Sequence, residues 1–467
     1  MLKIYNTLSR KKEEFKPLKD KQVSFYQCGP TVYWTQHIGN LRAMVLADLI
    51  KRSQEYLGYD VKFARNYTDV GHMTSDDDEG EDKMEVASKR EKLDPKEIAD
   101  KYIKTFEDDI KELNCEDPNF KPRATEYISQ MIEMVQELLK KGFAYTADLA
   151  IYFDISKFEN YTKLSKQDLS KNISDAGRGE VSDSNKKNSA DFAVWYFKAG
   201  AHENALQTWP SPFVSPLVEN GEGFPGWHLE CSAMNKAIFG PTIDMHMGGI
   251  EHIPVHHTNE IAQSEAANGK EFVRYWMHNE HLTVDGGKMS KSQGTAYSLA
   301  EIKAKGFNPM VLRYFFMQAH YRSKQNFTLE ALESAQTALN NLKEKILEFK
   351  ADGYGKIIES SKKNFTEAIE DDFNIPQVLA IVWDLVKSKE SGKDIYATLM
   401  EFDKVLGLSL DQIREEKIPQ EVVDLAKERL AARSEKNWAE SDRLRNEIGK
   451  LGYEIEDLKE GYKLKRK

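Results

Sequence analysis

Residues 21–67 narrow the possible folds more than any other stretch of the chain. KQVSFYQC, residues 21–28, reads as a short strand running into the turn residues Gly29 and Pro30. Beyond Gly39, the residues Leu41, Val45, Leu46, Leu49 and Ile50 share one face of a helix that Gly58 ends. Val61 to Tyr67 then reads as a second strand. Such a strand–helix–strand unit predicts two parallel strands joined by a right-handed crossover, and so an α/β protein.

The remaining pattern is longer than one core would need. At 467 residues, about two to four domains are expected. Ser75 to Asp82 reads as an acidic, solvated loop rather than a site, helical patterns fill roughly 95–141, and 165–191 reads as a polar surface loop or a flexible arm. TWPSPF (208–213) and GEGFPGWH (221–228) read as irregular. A helix is expected around 228–238, a strand at Thr242 to Met247, a helix from His257 to Asn268 and a strand near Glu280 to Val284. From 329 to 410 the apolar spacing is helical, as in Phe365, Ile369 and Phe373. Helices over 420–450 and a hairpin through YEIEDL and YKLKRK close the chain.

Composition excludes little. Apolar residues make up 40% and charged residues 30%, an ordinary globular balance. No run approaches the ~18 apolar residues of a membrane span, and the start lacks the apolar core of a secretory signal, so a cytoplasmic protein is expected. Three cysteines, Cys28, Cys115 and Cys231, are too few for a disulfide framework. The net charge of −10 neither requires nor forbids RNA, because a local basic strip still binds phosphates.

Two short motifs suit nucleotide chemistry, although HIGN alone equally fits a packed histidine with a helix cap, and a two-lysine stretch alone a solvated basic loop. HIGN places His37, Gly39 and Asn40 where a loop enters a helix, and the free N–H groups of a helix N-terminus face an anion there. KMSKS, Lys288 to Ser292, follows Asp285, Gly286 and Gly287. Lys288, Ser290 and Lys291 on such a loop can wrap a triphosphate and neutralise charge on departing pyrophosphate. The order and separation of the two motifs resemble the HIGH and KMSKS signatures of class I aminoacyl-tRNA synthetases. Asn40 stands where that family usually has a second histidine.

A second group of residues bears on which amino acid is activated. His256 and Glu260, four apart, share one helical face, as a bidentate metal grip requires. Two thiols, an imidazole and a carboxylate would suit Zn2+, although spacing alone does not assign Cys28 and Cys231 to the same site. The segments CGPTVY, GWHLECSAMN and HHTNEIAQS resemble those of cysteinyl-tRNA synthetases, and the likeness covers almost the whole chain. It implies one Zn2+ held by Cys28, Cys231, His256 and Glu260, with His257 a neighbour and Cys115 outside the site. It also implies that Gly29, Thr68, Trp227, His228 and His246 surround the cysteine substrate, and that Glu251 replaces a usual aspartate. His37, Asn40, Lys288 and Lys291 would be catalytic, with Gly39 and Ser290 completing the ATP site. ATP would arrive with Mg2+.

The resemblance gives the whole chain an expected plan. A split Rossmann-like catalytic domain would occupy 1–119 and 221–287, interrupted by a connective insertion at 120–220. The lysine loop and a stem-contact region would follow at 288–330, a helical bundle at 331–415, and a small mixed α/β anticodon-binding domain at 416–467. The implied activity is ligation of cysteine to tRNA(Cys) through cysteinyl-adenylate, by a monomer. In the last domain Arg443, Arg445, Lys463, Lys465 and Arg466 would meet phosphates, and Trp438 or Tyr462 would stack on a base. A cysteine ligase acting on an amino sugar would share the first half reaction, but has no use for an anticodon-like unit. An inactive paralogue that only binds RNA or zinc would not need both lysines and all four metal positions.

Overall fold

Four parallel strands form the sheet that the first 67 residues call for. The computed structural model describes residues 1–71, 83–168, 183, 185–287, 289, 294–414, 418–458 and 461–466. Strands β1 (Gln22–Gln27) and β2 (Asp60–Arg65) flank helix α1 (Ile38–Tyr56) in sequence and pair in parallel, with Phe25 opposite Phe63. Strand β3 (Ile243–Gly249) adds to the free edge of β1, and β4 (Val273–Asn279) lies beyond it. The spatial order is therefore β4-β3-β1-β2. The first crossover moves one way from β1 and the second moves the other way from β3. The carboxyl ends of β1 and β3 thus form a topological switch point, where open α/β sheets hold their ligands.

Helix α1 is buried over more than the one face its spacing predicts. Leu41, Val45, Leu46, Leu49 and Ile50 are buried, but so are Arg42, Asp48 and Lys51. Their charges are matched by partners rather than by water. Asp48 pairs with Arg52 at 2.9 Å and with fully buried Arg313 at 2.7 Å. Arg42 donates to Gln325 Oε1 (3.0 Å) and to the carbonyls of Glu280 (2.5 Å), His320 (3.3 Å) and Ser323 (3.1 Å).

The expected strands need correction in two places. A strand does lie near Glu280 to Val284, at Leu282–Val284, but the outer strand of the parallel sheet, Val273–Asn279, was not expected. Leu282–Val284 pairs with Gln325–Phe327 in a separate two-stranded ribbon. VRYWMHN lacks apolar alternation because six of its seven residues are buried, including His278 and Asn279. The stretches read as irregular at 208–213 and 221–228 contain the short strands Trp209–Pro210 and Glu222–Pro225. With Ala144–Thr146, Ala150–Phe153 and Phe192–Phe197 they form a five-stranded antiparallel sheet. Each of the two short strands ends at a proline, which cannot donate to the ladder, so the usual strand signal is weak.

Downstream, Leu329–Ala351, Glu359–Glu370, Ile375–Val386 and Gly392–Leu406 are the helices of the expected bundle. Phe365 and Phe402 stack in it at 3.9 Å between centroids. No helix among the described residues is long and apolar enough to cross a membrane.

The chain divides into two compact units, Met1–Asp411 and Gln412–Lys467. The second holds helices Gln420–Ser434 and Trp438–Lys450 and the hairpin Tyr453–Asp457/Tyr462–Arg466. Val422, Ala426, Ile448, Tyr453 and Ile455 form its core. Buried Arg429 donates to both carboxylate oxygens of Asp457, at 2.7 and 3.2 Å. Tyr462 packs on that core and is not an exposed ring, whereas Trp438 is 57% exposed.

Candidate functional site

At the switch point the chain gathers buried thiols, imidazoles and a carboxylate. Cys28 follows β1, and its N–H donates to the Met247 carbonyl of β3 (3.1 Å), which locks it at the carboxyl edge of the sheet. Helix α2 (Trp227–Phe239) supplies Cys231, and helix α3 (His256–Asn268) supplies His256 and Glu260 one turn apart. One ligand atom from each of these four buried residues lies within 4.8 Å of all the others, so the four expected ligands do meet. Cys28 Sγ is 3.9 Å from both Cys231 Sγ and Glu260 Oε1, and His256 Nε2 is 3.1 Å from Glu260 Oε1.

The structure adds a second donor set that overlaps the first. Cys28 and Glu260 also converge with His246 and His257 within the same limit. His257 Nε2 is 3.3 Å from Cys28 Sγ, closer than any other donor in the cluster. Its Nδ1 lies 2.7 Å from His278 Nε2, whose ring reaches Thr7 Oγ1 at 2.8 Å. His278 and Thr7 escaped sequence reasoning because they lie on elements remote from every motif. Cys115 is in neither set.

The ionisation of the cluster is set from within. Burial pushes the Cys28 thiol well above its ordinary range, helped by its hydrogen bond to Cys231 and the charge there. The same hydrogen bond, with His256 assisting, holds Cys231 down at about 7 against its burial. Burial opposes charge on His256, but hydrogen bonds to Cys231 and Glu260 carry it up to about 10. Glu260 is likewise buried, yet His246 and His256 hold it at about 2. His257 falls well below its usual value and His252 to about 3, chiefly through burial, so both rings stay neutral. A carboxylate, a thiol that ionises near neutral pH and the neutral His257 ring form donors suited to a divalent metal, to which His256 would bind by giving up its proton.

The expected substrate contacts lie around this cluster. His228 Nδ1 is 2.8 Å from His256 Nδ1, and the Trp227 ring covers the His256 ring at 4.4 Å between centroids. His246 Nε2 is 2.9 Å from Glu260 Oε2. Gly29 N–H donates to Asn66 Oδ1 (2.9 Å), and a Cβ on Gly29 would overlap the Asn66 carbonyl, so only glycine fits. Asn66 Nδ2 donates to Thr68 Oγ1 (3.2 Å), which in turn donates to Glu230 Oε2 (2.9 Å). Asn66, two residues before Thr68, and buried Glu230, within GWHLECSAMN, were missed. Glu251 is half exposed, and its carboxylate turns over Gly249 toward His281.

The nucleotide motif occupies the start of α1. His37 is the N-cap residue, and its Nδ1 accepts from the Asn40 N–H (3.3 Å). Asn40 Nδ2 donates to Gln36 Oε1 at 2.5 Å. A Cβ on Gly39 would overlap Met289 Cε, so the absent side chain makes room for the middle of the lysine motif. Beyond that motif, Ile38 N–H donates to the Tyr297 carbonyl at 2.8 Å. Lys288, Ser290 and Lys291 themselves lie outside the described residues.

Comparison with known proteins gives the family of the chain. The family described as tRNA synthetases class I (C) catalytic domain matches residues 14–337, and the DALR domain family matches residues 364–411. Among curated proteins, cysteine–tRNA ligase 1 of Burkholderia lata is 42% identical over 99% of this chain and 96% of its own. Cysteine–tRNA ligase of Methanosarcina mazei is 40% identical over 100% and 99%, and that of Treponema denticola is 39% identical over 98% of each. Among solved structures, Mycobacterium tuberculosis methionyl-tRNA synthetase in complex with methionyl-adenylate superposes with a TM-score of 0.56. It is 15% identical and covers 85% of this chain and 92% of that one, a likeness of fold.

Proposed function

The chain belongs to the cysteine–tRNA ligases, within the class I aminoacyl-tRNA synthetases, and from that premise we propose that it attaches cysteine to tRNA(Cys) in two steps at the switch point of its sheet. The carboxylate of cysteine attacks the α-phosphorus of ATP, giving cysteinyl-adenylate and pyrophosphate. A hydroxyl of the 3′-terminal ribose of the tRNA then attacks the activated carbonyl and releases AMP. Neither step needs a protein nucleophile, so binding and charge stabilisation supply the catalysis.

The observation that carries the reading is the buried set of Cys28, Cys231, His256 and Glu260 at the carboxyl end of β1. These four would hold one Zn2+, with His246 and His257 alongside Cys28 and Glu260. Bound zinc prefers a thiolate to a hydroxyl and lowers a thiol pKa, which distinguishes cysteine from serine where pocket shape gives only about 10–200-fold. Trp227 and His228 would wall the side chain of the amino acid, while Gly29 and Thr68, held by Asn66 and Glu230, would meet its backbone groups. His37, Gly39 and Asn40 would receive ATP with its Mg2+, and Lys288, Ser290 and Lys291 would close over the phosphates.

The unit Gln412–Lys467 would bind the anticodon end of the tRNA, with Trp438 exposed for base stacking. The enzyme would act as a cytoplasmic monomer. Pyrophosphate exchange into ATP, measured with each of the twenty amino acids, tests the reading: cysteine alone should support it. Exchange driven by another amino acid would overturn it. Removing residues after Asp411 should leave that exchange intact and weaken tRNA charging by about 1–3 kcal/mol per lost base stack.

A further inference from the structure

The loop between β1 and α1 displays an aromatic ring for which neither the cysteine site nor the nucleotide motif has a use. Trp34 lies three residues before His37 and is 38% exposed. The Arg90 guanidinium lies over its ring, 3.9 Å from the centroid. Arg90 is itself held by donating to the Tyr33 carbonyl (3.2 Å), Glu91 Oε1 (2.6 Å) and Tyr102 OH (3.2 Å). The indole is thus braced by a fixed cation, at a cost in rotamer freedom met before any ligand arrives.

The backbone that carries this ring joins both substrate regions. Gln36 Nε2 donates to the Trp34 carbonyl and to the Thr31 carbonyl, each at 3.2 Å, while its Oε1 accepts from Asn40. At the other end, Thr31 bridges to Thr68, and Val32 N–H donates to the Thr68 carbonyl at 3.1 Å. Trp34 therefore stands at the exposed crest of a loop tied to Thr68 on the cysteine side and to Asn40 on the nucleotide side. In the second step an unpaired tRNA end must reach between those two regions. Unpaired bases bind proteins by stacking on aromatic rings and guanidinium planes, and a purine offers the larger face.

We propose that Trp34, braced by Arg90, is a stacking platform for an adenine base, that of the 3′-terminal adenosine of the tRNA. The inference rests on the ligase reading given above. It makes Trp34 a positioning residue for the transfer step, holding the base so that its ribose hydroxyl meets the adenylate carbonyl.

The test is single-turnover transfer from preformed cysteinyl-adenylate to tRNA(Cys) ending in adenosine or in cytidine, with wild-type enzyme and the Trp34→Ala, Trp34→Phe and Arg90→Gln variants. Trp34→Ala should lower the single-turnover transfer rate at subsaturating natural tRNA by about 10-fold or more, the scale of one lost base stack. Exchanging adenosine for cytidine should penalise the wild type and add almost nothing to the alanine variant. Trp34→Phe should keep most of the activity, and Arg90→Gln should fall between. If the alanine variant does not fold, the other two with the same pair of tRNAs decide the matter.

Equal sensitivity of wild type and variants to the terminal base would overturn the proposal, since a purely structural role predicts that result. A raised KM for ATP in pyrophosphate exchange, with transfer intact, would also overturn it and assign the ring to the adenine of ATP. Wild-type exchange with cysteine is measured alongside. Its absence would bring down the ligase reading and this inference with it, whereas its presence alongside a failed base swap would bring down the inference alone.

Discussion

The two ends of the proposed active centre are built on opposite plans. The metal-binding end draws its side chains from three separate segments, all buried, and each charge there is fixed by the others. The nucleotide end is local: His37, Gly39 and Asn40 lie within four residues of one another, half buried, at the first turn of α1. A buried cluster gains selectivity from its low dielectric, but losing one member leaves the rest uncompensated. An open helix start tolerates change better, because water and neighbouring N–H groups replace what is lost.

Substitutions can separate the two plans. The largest effect is expected at Cys231→Ala, which should abolish stoichiometric metal. Loss of a direct ligand should exceed the roughly 10–100-fold cost of losing a supporting partner. Elemental analysis of the folded variant reads this directly, and about one metal per chain surviving in both Cys28→Ala and Cys231→Ala would break the comparison at its first premise.

Lys291→Ala should slow adenylate formation by ~10²-fold, the scale for removing a group that stabilises transition-state charge. Its metal content should stay normal, and rapid-quench measurement of the first turnover tests both halves of that statement. A loss of metal would mean that the two ends are one coupled network. The smallest effect is expected at Gly39→Ala. The methyl group meets the flexible end of Met289, so a cost of about 1 kcal/mol is expected, visible as a few-fold rise in the KM for ATP. An effect as large as that of Lys291→Ala would show that the loop cannot yield at Met289.

Legibility followed the same division. HIGN could be placed at a helix start because its residues are neighbours, whereas its link to a nucleotide came from the pairing with KMSKS and the family resemblance. His256 and Glu260 could be read because one helical turn aligns them. Cys28 and Cys231 are 203 positions apart, and only resemblance to relatives joined them to the pair on α3. His257 was set aside as a bystander, and nothing in the dipeptide HH distinguishes the ring that faces Glu260 from the ring that faces Cys28. Val273–Asn279 was missed because a strand covered on both faces carries no alternation to detect.

The sequence by itself determined the parallel β1–α1–β2 unit, the helical run after residue 329 and the helix start at which His37 and Asn40 sit. Each of these rests on periodicity or on side chains a few residues apart, which local geometry converts into a shared face. Tertiary structure alone decided which edge of β1 receives β3, and therefore which residues face Cys28. Only the packed sheet brings His246 and His257 within reach of that sulfur, places Asn66 behind Gly29 and sets Glu230 against Thr68. Those contacts join segments far apart in the chain. Their strength comes from burial, a property no residue possesses before the chain closes around it.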